Sequence, residues 1–355
     1  MTGVTGGTPL LDGMRVVDAS AWRPMPYATQ LLADLGADVL KIEPPGGDPM
    51  RGFPELFADV ASNKRSVVID LRTDDGRARA LDLVADADVF CEGWRPGVAA
   101  RLGLGDDDVR AANPSIIYCS LSGYGQGGSF ASLPGHDVNY QALAGALAKR
   151  GPHDQEPAIP RVAVADLAGG MMAALTICAA WAKRLQTGEG EYIDVAMTDV
   201  VASWVGPRSG AARRDREAPA PGSAGYGVFR CADGEYVALG VIAEDHFWRA
   251  VCDALGIDAL RDLPYAGRLD RVLECNERVA DALAKITDAD AVTRLEDSGA
   301  PVSPVLRPEE MVAHPRFRER GVVVEEPNGV RRVGFPAVLR VHRARPPGRV
   351  AQPEE

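Results

Sequence analysis

The chain has 355 residues, 46% of them hydrophobic, which is enough for one large domain or two smaller ones with a sizeable core. Its 39 basic and 50 acidic residues give a net charge of −11 at pH 7, which argues against a general nucleic-acid surface or an anionic-membrane surface. The six cysteines form no Cys-x-x-Cys pair or zinc-ligand spacing and the first residues lack a signal-peptide pattern, so we expect a cytoplasmic protein with no metal, nucleic-acid or membrane partner.

The first part of the chain alternates strands and helices. Residues 14–18 and 37–43 have the β-branched composition of strands, and residues 27–35 place leucines on one helical face before Gly36 ends the helix. Residues 22–26 are predicted to form a turn. A strand-helix-strand unit of this kind favours a parallel sheet with a right-handed crossover. Because this unit contains no Gly-x-Gly-x-x-Gly, the sequence gives little support for a dinucleotide site.

Three further strands are predicted at 67–72, 87–92 and 114–122, each next to residues suited to phosphate or base binding. The first follows Asn-Lys-Arg-Ser and ends at Arg72, so its cations fit either a phosphate patch or ordinary solvent-facing charges. The second is followed by Gly-Trp-Arg-Pro-Gly, where Trp94 can stack on a base and Arg95 or Arg101 can pair with phosphate. The third ends in a glycine-rich loop, 123–128, that can cradle phosphate but lacks the Lys-Ser/Thr of a P-loop.

Two candidate catalytic residues follow. His136, after Pro-Gly, is typical of a polar turn residue, but it is also a natural proton carrier. Asp166 follows an extended approach and precedes a helix predicted over 167–185, so it fits an N-cap, and equally a base or a nucleophile. Gly169 and Gly170 would let a ligand approach the backbone. The apolar run inside this helix, 171–182, is shorter than the about 20 residues that span a bilayer.

The remaining residues indicate a second, smaller unit. Residues 187–197 lead through a turn and strand into a helix, and a basic, Pro-rich stretch then changes the composition. A hairpin is predicted at 226–240 around Ala-Asp-Gly, with helices after it. The tail from Pro346 is expected to be frayed. The predicted organisation is a large α/β domain over 1–205, a linker at 206–224, a small α+β domain over 225–305 and a return to the large domain over 306–355.

The stretch Gly-His-Asp-Val-Asn-Tyr at 135–140, followed by Asp-x-x-Gly-Gly at 166–170, resembles the α-methylacyl-CoA racemase branch of the family III CoA-transferases, the CaiB/BaiF family. Further motifs of the family are matched by Leu-Ala-Asp-Leu-Gly-Ala-Asp-Val at 32–39, by Asn-Lys-Arg-Ser at 63–66, and by Thr-Gly-x-Gly at 187–190. The resemblance spans roughly residues 10–345. It implies a large Rossmann-like domain with a parallel sheet, a smaller α+β domain, an interlocked homodimer, and no cofactor beyond the coenzyme A of an acyl-CoA substrate.

The resemblance also implies roles for individual residues. His136 and Asp166 would exchange the α-proton, and Glu244 would hold His136 in its useful tautomer. This chain departs from the racemase pattern at Met25 and Ala165, where that branch carries Gly, and these departures indicate a changed acyl specificity. Coenzyme A would be bound by Lys41, Leu71, Arg72, Gly93, Trp94, Arg95 and Arg101, with Asp137 and Tyr140 near its pantetheine end.

Three functions remain open at this point. A racemase inverting the α-carbon of a 2-methylacyl-CoA through an enolate needs two bases, His136 and Asp166, and donors for the enolate oxygen, which N–H groups near Asp166, Gly169 and Gly170 could supply. A CoA-transferase that moves CoA between carboxylic acids needs only Asp166, as the nucleophile that becomes acylated. A non-catalytic CoA-binding scaffold would lack the carboxylate and the histidine, and this chain has both.

Overall fold

The computed structural model describes residues 7–148, 156–206, 223–325 and 331–354. They fall into two compact units. Most of the predicted linker at 206–224 lies outside the described residues. The first unit is bounded by Met1–Leu147, Ala158–Pro207 and Val312–Glu355, and the second by Ala148–Pro157 and Arg208–Met311.

The first unit is built on a parallel sheet, which confirms the predicted α/β class. Its strand order within the described chain is β3-β2-β1-β4-β5-β6, and each neighbouring pair is parallel. In this doubly wound order the direction in which successive strands are added to the sheet reverses between β1 and β4, and ligands bind at the carboxyl ends of the strands at that point. The strands are β1 Arg15–Asp18, β2 Asp38–Glu43, β3 Arg65–Val68, β4 Val89–Glu92, β5 Ile117–Ser122 and β6 Glu191–Ala196.

Helices cover both faces of this sheet. The central strands β4 and β5 are buried along their whole length, as their continuous apolar sequences require in a sheet covered on both sides. The helices are α1 Pro24–Asp34, α2 Pro54–Ala61, α3 Asp74–Ala85, α4 Val98–Arg101, α5 Asp106–Ala112, α6 Asp137–Leu143, α7 Val164–Thr187 and α8 Met197–Val205.

Two helix starts differ from the sequence prediction. Helix α1 begins at Pro24, inside the predicted turn, because proline already has the backbone angle of a first helical turn. Helix α7 begins at Val164, so Asp166 lies inside its first turn and is not the N-cap. The extended segment predicted before Asp166 was therefore wrong in its last residues.

The glycine pair of α7 serves helix packing. A Cβ on Gly169 would lie 2.6 Å from Met197 Cγ, and a Cβ on Gly170 would lie 2.6 Å from the Pro24 carbonyl oxygen. These distances show that α7 approaches α8 and the start of α1 too closely for any side chain. The prediction that the glycines open the backbone to a ligand was wrong.

Helix α7 is long and apolar. Its most apolar stretch has a mean hydropathy of 1.5 and is 39% buried, so by length and composition alone the helix could cross a membrane, as many core helices of soluble proteins could. Ala173 and Ile177 face the core, whereas Met171, Leu175 and Leu185 are exposed. The exposed residues form an apolar stripe along one side of the helix.

The C-terminal tail is ordered against the edge strand β3, contrary to the prediction of fraying. The Val68 N–H donates to the Glu354 carbonyl at 3.0 Å, and the Glu354 N–H donates to the Ser66 carbonyl at 2.9 Å. These bonds cover part of an otherwise open sheet edge. The elements that precede the tail are α13 Pro308–Ala313, α14 Pro315–Glu319, β10 Val323–Glu325 and β11 Arg331–Val333.

The second unit has an antiparallel sheet, as the predicted α+β class requires. The hairpin at 226–240 turns at Gly234, whose φ of +90° suits glycine. Trp248 is fully buried and its indole N–H donates to the Leu260 carbonyl at 2.7 Å. The elements are β7 Tyr226–Arg230, β8 Tyr236–Gly240, β9 Val302–Pro304, α9 Asp245–Leu255, α10 Tyr265–Asp270, α11 Val272–Leu283 and α12 Asp288–Asp297.

Candidate active site

A cavity of about 670 Å³ lies in the first unit, in the size range of small-molecule sites. Its walls come from the loops that follow β1, β4 and β5, where the doubly wound order predicts a ligand site. The helices α2, α6, α7 and α8 complete it. Lining residues include Arg23 and Met25 after β1, Gly93, Trp94 and Arg95 after β4, Gly123 and Tyr124 after β5, and Phe53, Leu56, His136, Tyr140 and Asp166.

Asp166 is partly buried in the first turn of α7 and lines this cavity. Burial and the neighbouring carboxylate of Asp137 raise the pKa of Asp166 to about 6, while Arg23 and His136 lower it. A carboxyl group that titrates in this range can both accept and donate a proton near neutral pH. Its position and its pKa fit an acid-base role.

Asp137 supports Asp166 from the start of α6. Its Oδ1 accepts hydrogen bonds from the N–H of Ala165 at 2.7 Å and of Asp166 at 3.2 Å, and its Oδ2 accepts from Gln141 Nε2 at 2.5 Å. Asp137 therefore caps the free amides of the first turn of α7. It is not among the residues that line the cavity, and its place near the pantetheine end of CoA stays a prediction. Because both amides already donate to Asp137, they are not free to donate to an enolate oxygen, and the prediction that they would do so was wrong.

His136 and Tyr140 belong to the start of α6: His136 is the residue before the helix and Tyr140 lies within it. His136 is exposed, lines the cavity, and its backbone N–H donates to Asn139 Oδ1 at 3.0 Å. Tyr140 lines the cavity and its hydroxyl donates to the Gly135 carbonyl at 2.5 Å. A Cβ on Gly123 would lie 2.4 Å from the Tyr140 ring, so that glycine is required by this packing. The tyrosine holds the residue before His136 in place.

Glu244 lies in the second unit, at the residue before α9. It is exposed, and its carboxylate accepts a hydrogen bond from the Ile242 N–H at 3.2 Å. Hydrogen bonds from the nearby backbone lower the pKa of Glu244. Its pairing with His136 stays a prediction.

The residues predicted to bind CoA separate into two sets. Gly93, Trp94 and Arg95 line the cavity, and the Trp94 N–H donates to Glu92 Oε2 at 2.7 Å. Burial raises the pKa of Glu92, which the sequence reading had not singled out, to about 7. The second set lies outside the cavity lining, and its role toward CoA stays a prediction: Leu71 packs on the sheet core, Arg72 is exposed and pairs with Asp70 at 2.9 Å, and Arg101 is exposed in α4.

Lys41 and Lys64 are buried, which corrects the prediction of Lys41 as a CoA ligand and both alternatives left open for Lys64, a phosphate patch or a solvent-facing charge. The Lys41 Nζ lies 2.8 Å from Asp48 Oδ2 and donates to the Ser20 carbonyl at 2.6 Å. The Lys64 Nζ lies 3.2 Å from Asp18 Oδ2. Burial raises the pKa of Asp18, but Lys64 and Lys41 outweigh it and lower that pKa to about 2. Each lysine pairs with a buried carboxylate, and through Asp18 and the Ser20 carbonyl the two lysines stabilise the end of β1. Arg65, which was predicted in the same patch as Lys64 and Arg72, pairs with Asp38 at 2.8 Å.

Arg23 is the site residue that the sequence reading missed. It lines the cavity beside Asp166, close enough to lower the pKa of that carboxyl group. The available signal was a cation in the loop after the first strand of a βαβ unit, where ligands bind in such folds. Arg23 was not predicted as a site residue because residues 22–26 as a whole fitted a turn.

Comparison with known proteins places this architecture. The sequence profile described as "CoA-transferase family III" matches residues 11–354. The chain belongs to the family III CoA-transferases. This family III protein is 37% identical over 327 residues to the human alpha-methylacyl-CoA racemase, covering 88% of this chain and 81% of the relative. It is 33% identical over 350 residues to the succinate–glutarate CoA-transferase of Agrobacterium fabrum, covering 92% and 87%.

The fold agrees with the sequence match. The family III chain superposes on the crystal structure of a CaiB/BaiF family protein from Brucella suis with a TM-score of 0.86 and 28% identity, covering 98% of this chain and 97% of the other. The predicted family and fold class are therefore confirmed. Since racemases and CoA-transferases both match at similar identity, the protein is an enzyme of this family whose relatives catalyse two different reactions.

Proposed function

We propose that the protein is an acyl-CoA racemase that inverts the α-carbon of a 2-methylacyl-CoA. The observation that carries the proposal is the presence of two proton-transfer groups, His136 and Asp166, in one cavity. The pKa of Asp166, raised to about 6, suits proton exchange near neutral pH. The human relative named as an α-methylacyl-CoA racemase supports the same reaction.

The proposed reaction is a 1,1-proton transfer. Neutral His136 accepts the α-proton, and the electron pair of the C–H bond is delocalised onto the thioester oxygen as an enolate. Protonated Asp166 then donates its proton to the other face of the same carbon, which leaves histidinium and carboxylate. The reverse direction uses the two residues in exchanged roles, so no other reactant is consumed.

The substrate and assembly follow from the same proposal. Trp94 and Arg95, which line the cavity, would contact the CoA part of the thioester. We propose no cofactor beyond that CoA, and a cytoplasmic location. The exposed apolar stripe of α7, which includes Met171 and Leu175, supports a homodimer because it leaves apolar area for a second copy to cover.

A family III CoA-transferase activity is the second candidate, and the similar identity to the Agrobacterium transferase favours it. In that reaction the Asp166 carboxylate attacks the thioester carbonyl, the C–S bond breaks, and CoA leaves as its thiolate. The acyl group remains on Asp166 as a mixed anhydride. The CoA thiolate then attacks the Asp166 carbonyl of this mixed anhydride, which releases the donor acid and leaves Asp166 as a CoA thioester. The acceptor carboxylate attacks that thioester and displaces the CoA thiolate, which then attacks the acceptor's acyl carbon in the new anhydride and restores the Asp166 carboxylate. His136 is not required.

Solvent deuterium distinguishes the two reactions. The wild type is incubated in deuterium oxide with each epimer of a 2-methylacyl-CoA, first alone and then with an acceptor acid. A racemase exchanges and inverts the α-position without the acid. A transferase releases CoA to the acceptor and forms a covalent adduct at Asp166 that mass spectrometry detects.

Variants assign the residues. We expect Asp166→Asn and His136→Ala each to abolish inversion, since one face of the carbon then has no proton-transfer group. His136→Ala should retain some exchange on the face that Asp166 serves. His314→Ala, in the loop before α14, is the control and should retain full activity. Full inversion by His136→Ala would contradict the racemase mechanism.

A further inference from the structure

The catalytic cavity holds a guanidinium group without a carboxylate partner. Arg23 is half-buried and lines the cavity, and no carboxylate of the described residues lies within the 4.0 Å ion-pair distance of it. Two other arginines with restricted exposure do have one: Arg51 pairs with Glu43 at 2.6 Å, and Arg184 pairs with Asp88 at 2.7 Å. The carboxylates of Asp166 and Asp59 lie near enough for Arg23 to lower their pKa values, but neither forms an ion pair with it, so the guanidinium can still bind an anionic ligand directly.

The backbone holds Arg23 in a fixed position. The residue before it, Trp22, has a φ of +64°, a conformation that non-glycine residues rarely adopt. The loop start is tied down by Lys41, whose Nζ donates to the Ser20 carbonyl at 2.6 Å. Such a loop does not need to be ordered when a ligand binds, which favours recognition of a specific group.

The packing of α7 against the start of α1 brings Arg23 near Asp166, the proposed reacting residue. Gly170 lies four residues after Asp166, on the same face of α7. It packs so closely on the start of α1 that an added Cβ would lie 2.6 Å from the Pro24 carbonyl oxygen. Arg23 precedes Pro24 and therefore lies beside Asp166. An anion bound there is close to the reacting carbon. The pantetheine arm separates the phosphates of CoA from its thioester, so this anion belongs to the acyl group and not to CoA.

The surrounding wall fits the rest of such an acyl group. Met25, Phe53, Leu56 and Leu133 line the cavity, so methylene groups would contact apolar side chains. In a guanidinium, planar N–H groups match the two oxygens of a carboxylate.

We propose that Arg23 binds a carboxylate at the far end of the acyl group, so that the enzyme prefers thioesters of branched dicarboxylic acids to those of plain fatty acids. This inference rests on the proposed function in one respect, that the thioester reacts at Asp166. It adds the chemical class of the acyl group and the residue that selects it. It applies equally if the thioester reacts by transfer.

The test compares two thioesters that differ only at the far end: 2-methylglutaryl-CoA, with CoA on the carboxyl next to the branch, and 2-methylpentanoyl-CoA. In the wild type we expect kcat/KM to be about 10- to 100-fold higher for the carboxylated substrate, the range of a hydrogen bond to a charged group. In Arg23→Met the ratio should fall to about one. Arg23→Lys keeps the charge without the planar fork, so it should retain part of the preference.

The ratio of the two kcat/KM values also tests whether Arg23 acts only through its electrostatic effect on Asp166, and Arg95→Met is the control variant. If Arg23 only tuned that carboxyl group, Arg23→Met would change both rates by the same factor and leave the ratio unchanged, which would overturn the proposal. Arg95→Met, in the loop after β4, should weaken the binding of both substrates alike. A wild-type ratio near one with 2-methylsuccinyl-, 2-methylglutaryl- and 2-methyladipyl-CoA would also overturn it.

Binding separates this proposal from the proposed function. If the wild type turns over neither thioester, the proposed reaction is wrong, but calorimetry still tests Arg23. The carboxylated thioester should then bind at least about tenfold tighter than the plain one, with the difference lost in Arg23→Met. Equal affinities in the wild type would refute the role of Arg23.

Discussion

Replacing Asp137 by asparagine tests how the site controls Asp166. The Asp137 carboxylate is one of two causes that raise the pKa of Asp166 from its ordinary 3.8 to about 6, the larger being burial. Asparagine keeps an oxygen that can accept from the N–H of Ala165 and Asp166, but it removes the charge. The pKa of Asp166 should therefore fall and remain above its ordinary value, because burial still raises it.

The size of the effect follows from the ionised fraction of Asp166. The residue must lose its proton before it can accept one from substrate, so activity declines on the acid side of the pKa. At pH 5 a group of pKa about 6 is roughly one-tenth ionised. Removing a neighbouring like charge lowers a carboxyl pKa by about one or more, which makes the group roughly half ionised at pH 5. We expect the variant to keep about five times more of its plateau activity at that pH.

The assay isolates Asp166 by working in the His136→Ala background. The rate of deuterium exchange at the α-carbon is measured from about pH 4.5 to about pH 8, a range that spans the pKa of Asp166, with and without Asp137→Asn. An acid limb that stays in place, or moves to higher pH, would refute the assigned electrostatics. Asp137→Ala is the structural comparison: it leaves two amides without their acceptor and should cost about 1–3 kcal/mol in urea unfolding, whereas Asp137→Asn should cost less.

Three further predictions concern packing and assembly. Gly170→Ala should destabilise by about 1–3 kcal/mol in urea although alanine favours helices, because its Cβ would meet α1 at 2.6 Å, while the control Gly127→Ala, with nothing within 4 Å of the added Cβ, should be nearly neutral. Asp18→Asn should cost about 3–5 kcal/mol at pH 7 by leaving Lys64 buried without its counter-ion. Since the folded pKa of Asp18 is lowered from 3.8 to about 2, its contribution is present above pH 3.8 and is lost as the pH falls through 2, so urea curves of the wild type and variant should converge on acidification. In sedimentation the wild type should be a dimer at micromolar concentration, and Leu175→Asp on the exposed stripe should favour the monomer; a wild-type monomer would contradict the assembly.

The strands and the cavity position were readable from the sequence because they depend on local patterns. Apolar runs such as Ile117–Ser122 mark buried strands, and the alternation of strands and helices implies a parallel sheet with its ligand at the carboxyl edge. His136 and Asp166 could be found because both follow turn or helix-start signals. The structure then places both on one cavity.

The errors arose where long-range burial decides a residue's role. Lys41 and Lys64 have the same local sequence whether they face solvent or a buried carboxylate. Only their contacts in the folded chain reveal which: Lys41 pairs with Asp48 in the loop after β2, and Lys64 pairs with Asp18, 46 residues earlier on β1. The glycines of α7 likewise depend on α1, which no local pattern reports. A charged residue near a strand end is therefore weak evidence for ligand binding until its burial is known.

The same criterion distinguishes Arg23 from these lysines. Arg23 and Lys41 lie near the carboxyl ends of β1 and β2, and Lys64 directly precedes β3. The two lysines are matched by buried carboxylates, whereas Arg23 lines a cavity whose own carboxylate, Asp166, is beyond ion-pair distance in the described structure. Asp137 raises the pKa of Asp166 and Arg23 lowers it, so the two neighbours oppose each other. Neutralising Arg23 with a bound carboxylate would remove the lowering influence and favour protonated Asp166. A dicarboxylic substrate would thereby promote the protonation state from which Asp166 donates its proton, which links substrate selection to the proposed racemisation.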